Sequence, residues 1–198
     1  MRCIICGSGR PRPEAAAAAD FEQLKLNAVL LRGINDDEAS PLIRFGQAHG
    51  METRFIEYMP FGSSWRRFKA VTASEILASI QEDLGEPTPL TQLPGATAQR
   101  YRLEDGSTFG IIRTLSAPFC GHCDRVRLTA DGRLLPCLFA THGPSVRQLL
   151  RGHVTPHGLR DAIARCLETK GRGFLATARH TLDMDTPQPG RDMKALGG

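Results

Sequence analysis

FCGHCDRVRLTADGRLLPCLF, residues Phe119 to Phe139, sets Cys120, Cys123 and Cys137 in a C-x2-C-x13-C spacing, with Arg125 and Arg127 close behind the second cysteine. Asp131-Gly132 sits between two short apolar alternations, a local cue for a tight β-turn. A turn there folds the chain back and brings Cys137 towards the Cys120/Cys123 loop. A three-residue loop with a glycine bulge sets Cys137 opposite Arg125, on the same face. A two-residue loop pairs it with Val126 instead and turns the arginines to the other face. Both readings bring three thiols into one small volume.

Three thiols without an evident fourth leave two chemistries open. Structural zinc closes with four ligands, and His122 and His142 are the candidates for the fourth. A [4Fe–4S] cluster held by three cysteines keeps one iron open to an outside ligand. Alternating arginines most often mark a solvated strand face. Beside a cluster with an open position they suit an anion clamp, because planar guanidinium forks match phosphate oxygens.

The whole chain sets bounds on these readings. Its 198 residues suffice for one good core, or for one domain with a small appendage. A hydrophobic share of 41% with 23% charged residues fits a globular protein, and no apolar run approaches the ~20 residues of a membrane helix. The start, MRCIICGSGRPRPEAAAAAD, has too short an apolar stretch for a signal peptide, so a cytoplasmic location is expected. There the six cysteines stay reduced and argue for metal or cluster chemistry over disulfides. A net charge of +4 suits a phosphate-bearing small molecule as well as nucleic acid.

Upstream of the motif, residues 1–20 read as a flexible segment. Cys3 and Cys6 in it are either incidental thiols or a minor metal site with no second pair to complete it. Leu24 to Leu31 is a predicted buried strand, interrupted by Lys25 and Asn27. Arg32 to Asp37 is a turn, and a helix follows from about Glu38 to His49, stopped by Gly50. A second strand, Thr53 to Met59, carries Arg54, Glu57 and Met59. Strand–helix–strand of this length is a βαβ unit with a parallel sheet. Pro60 to Lys69, PFGSSWRRFK, is a surface loop; Trp65, Arg66 and Arg67 could instead contact nucleic acid. Thr72-Ala73-Ser74-Glu75 is a capping box opening a helix to about Leu84, and the Pro-rich stretch 85–95 marks a boundary. Beyond it the pattern predicts a hairpin over Ala98–Leu115 turning at Asp105-Gly106, then the cysteine hairpin. Two helices follow, near Ser145–Arg151 and His157–Lys170. Leu159, Ile163, Cys166 and Leu167 share a face of the second, which makes Cys166 a core residue.

The segment PFCGHCDRVRLTADGRLLPCLF closely resembles the C-terminal cluster motif of MoaA-type GTP 3',8-cyclases, radical S-adenosylmethionine enzymes of molybdenum cofactor biosynthesis. KLNAVLLRGIND and RFIEYMP resemble two consecutive late barrel strands of that family, and the Gly-Gly end resembles its tail, which reaches the active site. The resemblance runs from about Phe21 to Gly198. It implies an α/β fold: residues 21–90 as the C-terminal part of an incomplete (β/α) radical-SAM barrel, and 91–198 as a small α+β auxiliary-cluster and GTP-binding domain with β-hairpins. It implies a lyase that converts GTP to (8S)-3',8-cyclo-7,8-dihydroguanosine 5'-triphosphate. Cys120, Cys123 and Cys137 would carry a [4Fe–4S] cluster, Met59 would lie against S-adenosylmethionine, and Lys25, Arg125, Val126 and Arg127 would contact GTP. Arg125 and Arg127 would also act in catalysis, and Arg54 is a further candidate. Implied partners are GTP, a second copy of the subunit and the next enzyme of the molybdopterin pathway, with no membrane and no nucleic acid.

One departure stands out. The radical S-adenosylmethionine signature C-x3-C-x2-C occurs nowhere in the sequence. These residues hold no counterpart of the N-terminal half of the barrel that carries it in the family, so this chain is expected not to start radical chemistry alone; it reads as a fragment of a longer product, the alternative being that another chain supplies that half. Two other classes fit parts of the pattern: a zinc-binding module that contacts nucleic acid, and another radical enzyme with an auxiliary cluster, such as a peptide-modifying maturase. The Arg-x-Arg pair and the Gly-Gly end speak for a nucleotide substrate over the latter.

Overall fold

The computed structural model describes residues 16–19, 21–59, 69–93, 95–140, 142–152 and 154–170, apart from the side chain of His122. Cys3, Cys6, Trp65, Arg66, Arg67 and the Gly-Gly tail lie outside the described residues. The chain divides into two compact units. Of the described residues, one comprises those up to Met59 with 69–117, the other those from Pro118 on.

The first unit is a mixed α/β layer. Strand β1 (Leu24–Ala28), helix α1 (Ala39–Ala48) and strand β2 (Met51–Ile56) form the expected βαβ unit, with β1 and β2 parallel and Leu24 paired to Met51. The strands are shorter than their apolar runs suggest. After β1 the backbone turns, and buried Asn35 fastens the turn by accepting from the Leu31 amide at 2.8 Å and donating to the Val29 carbonyl at 3.1 Å.

Helix α2 (Ala73–Leu84) starts as its capping box requires: the Thr72 hydroxyl accepts from the Glu75 amide, and the Glu75 carboxylate accepts from the Thr72 amide at 2.8 Å. The Thr72→Ala variant should lose about 1 kcal/mol of stability, read as a lower urea midpoint with an unchanged slope. An unchanged midpoint would show that the box adds nothing.

Past α2, a short strand β3 (Thr88–Pro89) and a hairpin of β4 (Gln99–Arg102) and β5 (Thr108–Ile112) complete the layer. The five strands run in the order β1-β2-β5-β4-β3. β5 lies parallel to β2 and antiparallel to β4, and β4 is antiparallel to β3. Here the structure differs from the expected division near residue 90. The hairpin belongs to the same sheet as β1 and β2, because β5 supplies the partner that β2 needs on its second edge. The α/β class stands, with a mixed sheet.

One sheet face builds the core. Phe55, Phe109 and Ile111 are fully buried there with Tyr101, against Leu42 and Ile43 of α1 and Ile76 and Ile80 of α2. The aromatic rings meet edge-on between Phe55 and Phe109 at 6.4 Å and stacked between Tyr101 and Phe109 at 5.3 Å. Burying each such side chain contributes about 1.5–3 kcal/mol. The opposite face carries Lys25, Asn27, Glu52, Arg54 and Arg100, as the two-residue strand period dictates.

The second unit holds a 3-10 turn (Cys120–His122), a two-stranded ribbon of β6 (Arg127–Leu128) and β7 (Leu134–Leu135), and helices α3 (Val146–Arg151) and α4 (Pro156–Glu168). Ser145 and Thr155 cap the two helices through their hydroxyls, and Pro156 occupies the first turn of α4. The buried stripe of α4 runs along Ala162 and Cys166. Ile163 and Leu167, expected on the inner face, are 36% and 42% exposed. No helix among the described residues is long and apolar enough to cross a membrane.

Candidate functional site

The cysteine hairpin resolves the choice of loop. Arg127 pairs with Leu135 and Leu128 with Leu134, while the Thr129 amide donates to the Arg133 carbonyl at 2.9 Å. The loop is therefore Ala130-Asp131-Gly132, three residues with glycine at φ 83°, the left-handed position of a bulged turn. The first hairpin repeats the form, with Gly106 also at φ 83°. Continued two residues past the ladder, the register matches Cys137 with Arg125. The Gly132 carbonyl accepts from the Arg147 amide at 3.3 Å, so the hairpin tip rests on the start of α3.

Cys120 and Cys123 bracket the 3-10 turn, where the Cys123 amide donates to the Cys120 carbonyl at 3.4 Å. Both are half-buried free thiols, and so is Cys137 just past β7. In donor type and number this set fits a thiolate-held group. Among the described residues, however, no three His, Cys, Asp or Glu side chains form a group that could hold a metal ion. The backbone puts the three thiols on adjoining segments without closing a ligand cage. Cys166 differs from them. It is 4% exposed, its Sγ donates to the Leu134 carbonyl at 3.5 Å, and burial pushes its thiol pKa up. A thiol kept protonated in this way is a core group and a poor ligand.

Arg125 is held from three sides. Its guanidinium carbon lies 5.5 Å from the centroid of the Phe119 ring. A carboxylate oxygen of Asp124 is 3.7 Å from its Nη1. Its carbonyl accepts from Lys170 Nζ at 2.5 Å, which fastens the loop to the end of α4. Arg127 and Val126 are exposed beside it. A cavity of about 780 Å³ in this unit is lined by Ser145, Leu149, Ala162, Arg165 and Cys166 among others, and by none of the motif's three cysteines.

The remaining candidates belong to the first unit. Lys25 is exposed on β1 directly opposite Glu52, and Arg54 lies opposite Asn27, so Lys25 and Arg54 share the polar sheet face. Met59 is half-buried, three residues past the end of β2. Sequence reading passed over Glu52, Arg100 and the role of Glu57. The carboxylate of Glu57, 3% exposed, accepts from the Ala73 amide at 3.0 Å, the Leu115 and Ser116 amides at 2.8 and 2.9 Å, and the Ser116 hydroxyl at 2.6 Å. Burial alone would raise its pKa, but these hydrogen bonds, that from Ser116 foremost, outweigh it and hold the carboxyl below its ordinary value. The signal was available: an acidic residue closing an apolar strand needs donors, and flanking backbone amides are the nearest supply.

Comparison with known proteins places this arrangement. Residues 51–175 match the family model Molybdenum Cofactor Synthesis C, a span that takes in β2 to β5 with α2, the cysteine hairpin and both following helices. A GTP 3',8-cyclase 3 of Mycobacterium bovis is 43% identical over 154 residues, 77% of this chain and 41% of that protein. A GTP 3',8-cyclase of Synechococcus is 35% identical over 192 residues, 93% of this chain and 55% of that protein. One from Streptomyces coelicolor is 38% identical over 191 residues, 93% and 54% respectively. The chain spans about half the length of the curated relatives it matches. The resemblance drawn from the motifs is thus borne out, and the chain belongs to the Molybdenum Cofactor Synthesis C family.

Proposed function

We propose that this chain serves molybdenum cofactor synthesis as the substrate-holding part of a GTP 3',8-cyclase, the lyase that makes (8S)-3',8-cyclo-7,8-dihydroguanosine 5'-triphosphate from GTP. The observation that carries the reading is the cysteine hairpin with its Arg-x-Arg pair, inside the matched span. In this reading the unit from Pro118 on is the auxiliary-cluster and GTP-binding part, and the mixed sheet belongs to a radical-SAM barrel that the chain forms only in part.

Cys120, Cys123 and Cys137 would hold a [4Fe–4S] cluster. Held by three thiolates, such a cluster would supply a coordination position for an outside ligand such as the guanine base. Every other role falls to the chain itself. Arg125 and Arg127 present planar forks to phosphate oxygens of GTP, with Val126 between them at the nucleotide. The Phe119 ring limits how far the Arg125 guanidinium can swing, and Lys170 holds the backbone beneath it. Lys25 meets the triphosphate from the sheet face, and Met59 lies against S-adenosylmethionine. The task is orientation, since a radical reaction that must reach one C–H bond needs a substrate fixed at both ends. A paired subunit and the next enzyme of the molybdopterin pathway are the partners this reading implies.

Anaerobic reconstitution with iron and sulfide tests it, comparing the chain with its Cys123→Ala variant. The expected result is about four irons and four acid-labile sulfides per chain, lost in the variant. One zinc per chain and no sulfide would overturn the reading and make the triplet structural.

A further inference from the structure

On the polar face of the mixed sheet, Glu52 and Arg100, for which neither the motifs nor the comparisons account, stand with Arg54 and Lys25. Glu52 stands at the centre of the four with a side chain 8% exposed. One carboxylate oxygen, Oε1, takes both Nε and Nη2 of Arg54 at 2.7 Å. The other, Oε2, forms an ion pair at 2.6 Å with Nε of Arg100, one strand beyond β5, without hydrogen-bond geometry, and Nη2 of Arg100 donates to the Thr108 hydroxyl at 3.5 Å. Arg54 can reach this position because Gly110 lies opposite it on β5. A Cβ at Gly110 would stand 3.3 Å from Cγ of Arg54 and 3.1 Å from Cβ of Ala98, so the Arg54 stem rests on bare glycine backbone.

Lys25 faces Glu52 from β1. Two arginines share one carboxylate, for a local net charge of +1, and the exposed Lys25 on the neighbouring strand adds a further positive charge to this face. The Arg54 side chain is only 20% exposed, so its charge is poorly hydrated and its orientation is fixed by Glu52. Nη1 of each guanidinium is left out of the contacts with the carboxylate. A group with several negative oxygens in a row matches two such forks and an ammonium; a single carboxylate ligand does not.

We propose that Glu52 is a positioning residue that aims Arg54 and Arg100, across the Gly110 platform, at the oligophosphate of a nucleotide. This rests on the reading of the chain as a GTP-binding part. It adds the device that orients the cations, and it extends the phosphate contact to Arg100 on the hairpin strand.

The test is calorimetric binding of inorganic triphosphate to the purified chain at low salt, with Glu52→Gln, Arg54→Lys and Gly110→Ala variants. The sign for Glu52→Gln separates the alternatives. If Glu52 were only a nearby negative charge, its removal would tighten anion binding. If it orients the guanidiniums, binding weakens about tenfold despite the added positive charge. Arg54→Lys keeps the charge and loses the fork, and should weaken binding by a similar factor. The double variant should then lose little more than either single one. Gly110→Ala checks the platform independently. Equal or tighter binding by Glu52→Gln would overturn the proposal, provided its melting temperature is that of the parent. If Glu52→Gln does not fold, undiminished binding by Arg54→Lys and Gly110→Ala overturns it instead. If the parent chain does not bind triphosphate, this inference falls, while an intact iron and sulfide content leaves the cyclase reading standing.

Discussion

Glu57→Gln is expected to lower the stability of the chain by about 2–3 kcal/mol at neutral pH, and by much less in acid. The carboxylate takes four donors, from Ala73 at the start of α2 and from Leu115 and Ser116 in the loop after β5. An amide of the same shape offers one accepting oxygen, and its NH2 group would confront amides that also donate. The pH dependence follows from the direction of the shift. A carboxyl held below its ordinary value stabilises the fold fully above that value, roughly 4.3, and the contribution is lost as pH falls through the lowered folded-state value. Urea midpoints of parent and variant should therefore be well separated at pH 7 and converge in acid. A gap of constant size across that range would show that Glu57 acts through packing and not through its charge.

Gly46→Ala should be the second large effect, with a sign opposite to the usual one. In an exposed helix interior the change from glycine to alanine typically stabilises by about 1 kcal/mol. In α1 the new Cβ would stand 2.4 Å from Oγ1 of Thr53 and 2.8 Å from the Met51 carbonyl oxygen. The Thr53 hydroxyl cannot swing away cheaply. It is buried and donates to the Leu42 carbonyl at 3.0 Å, so rotation strands a polar group in the core. The helix must lift from β2, and overpacking of this kind costs about 1–3 kcal/mol. Thermal unfolding of the two chains decides the matter; a variant that melts with or above the parent would mean that the helix shifts at no cost.

Much of this was readable from the residues alone. The βαβ unit, the capping box at Thr72 and both Asp-Gly hairpins follow from period, cap and turn chemistry, all of which act over a few residues. The partner of β2 was not readable. Nothing local in TFGII says that it will lie parallel to a strand some fifty residues earlier, because sheet pairing is decided by whole-layer burial. The burial of Cys166 was predictable from its spacing, but the rotation that exposes Leu167 depends on how α4 meets β7 and α3. Lys25, Arg54 and the three cysteines were legible as chemistry. Glu52 was not, because its meaning lies in Arg100, which reaches it from a strand whose place in the sheet the sequence does not announce.

That late-arriving strand has a consequence for how the protein is made. Ile56 of β2 pairs with Ile112 of β5, 56 residues further along the chain. At a synthesis rate of about 5–20 residues per second, β2 leaves the ribosome roughly 3–11 s before its neighbour exists. During that interval the nascent strand carries Phe55 with one edge unpaired, a surface that invites wrong association or capture by a chaperone. The hairpin of β4 and β5 closes locally and fast once it emerges. The second edge of β2 therefore stays open until β5 has been made, so closure of the layer waits on the end of its own sheet.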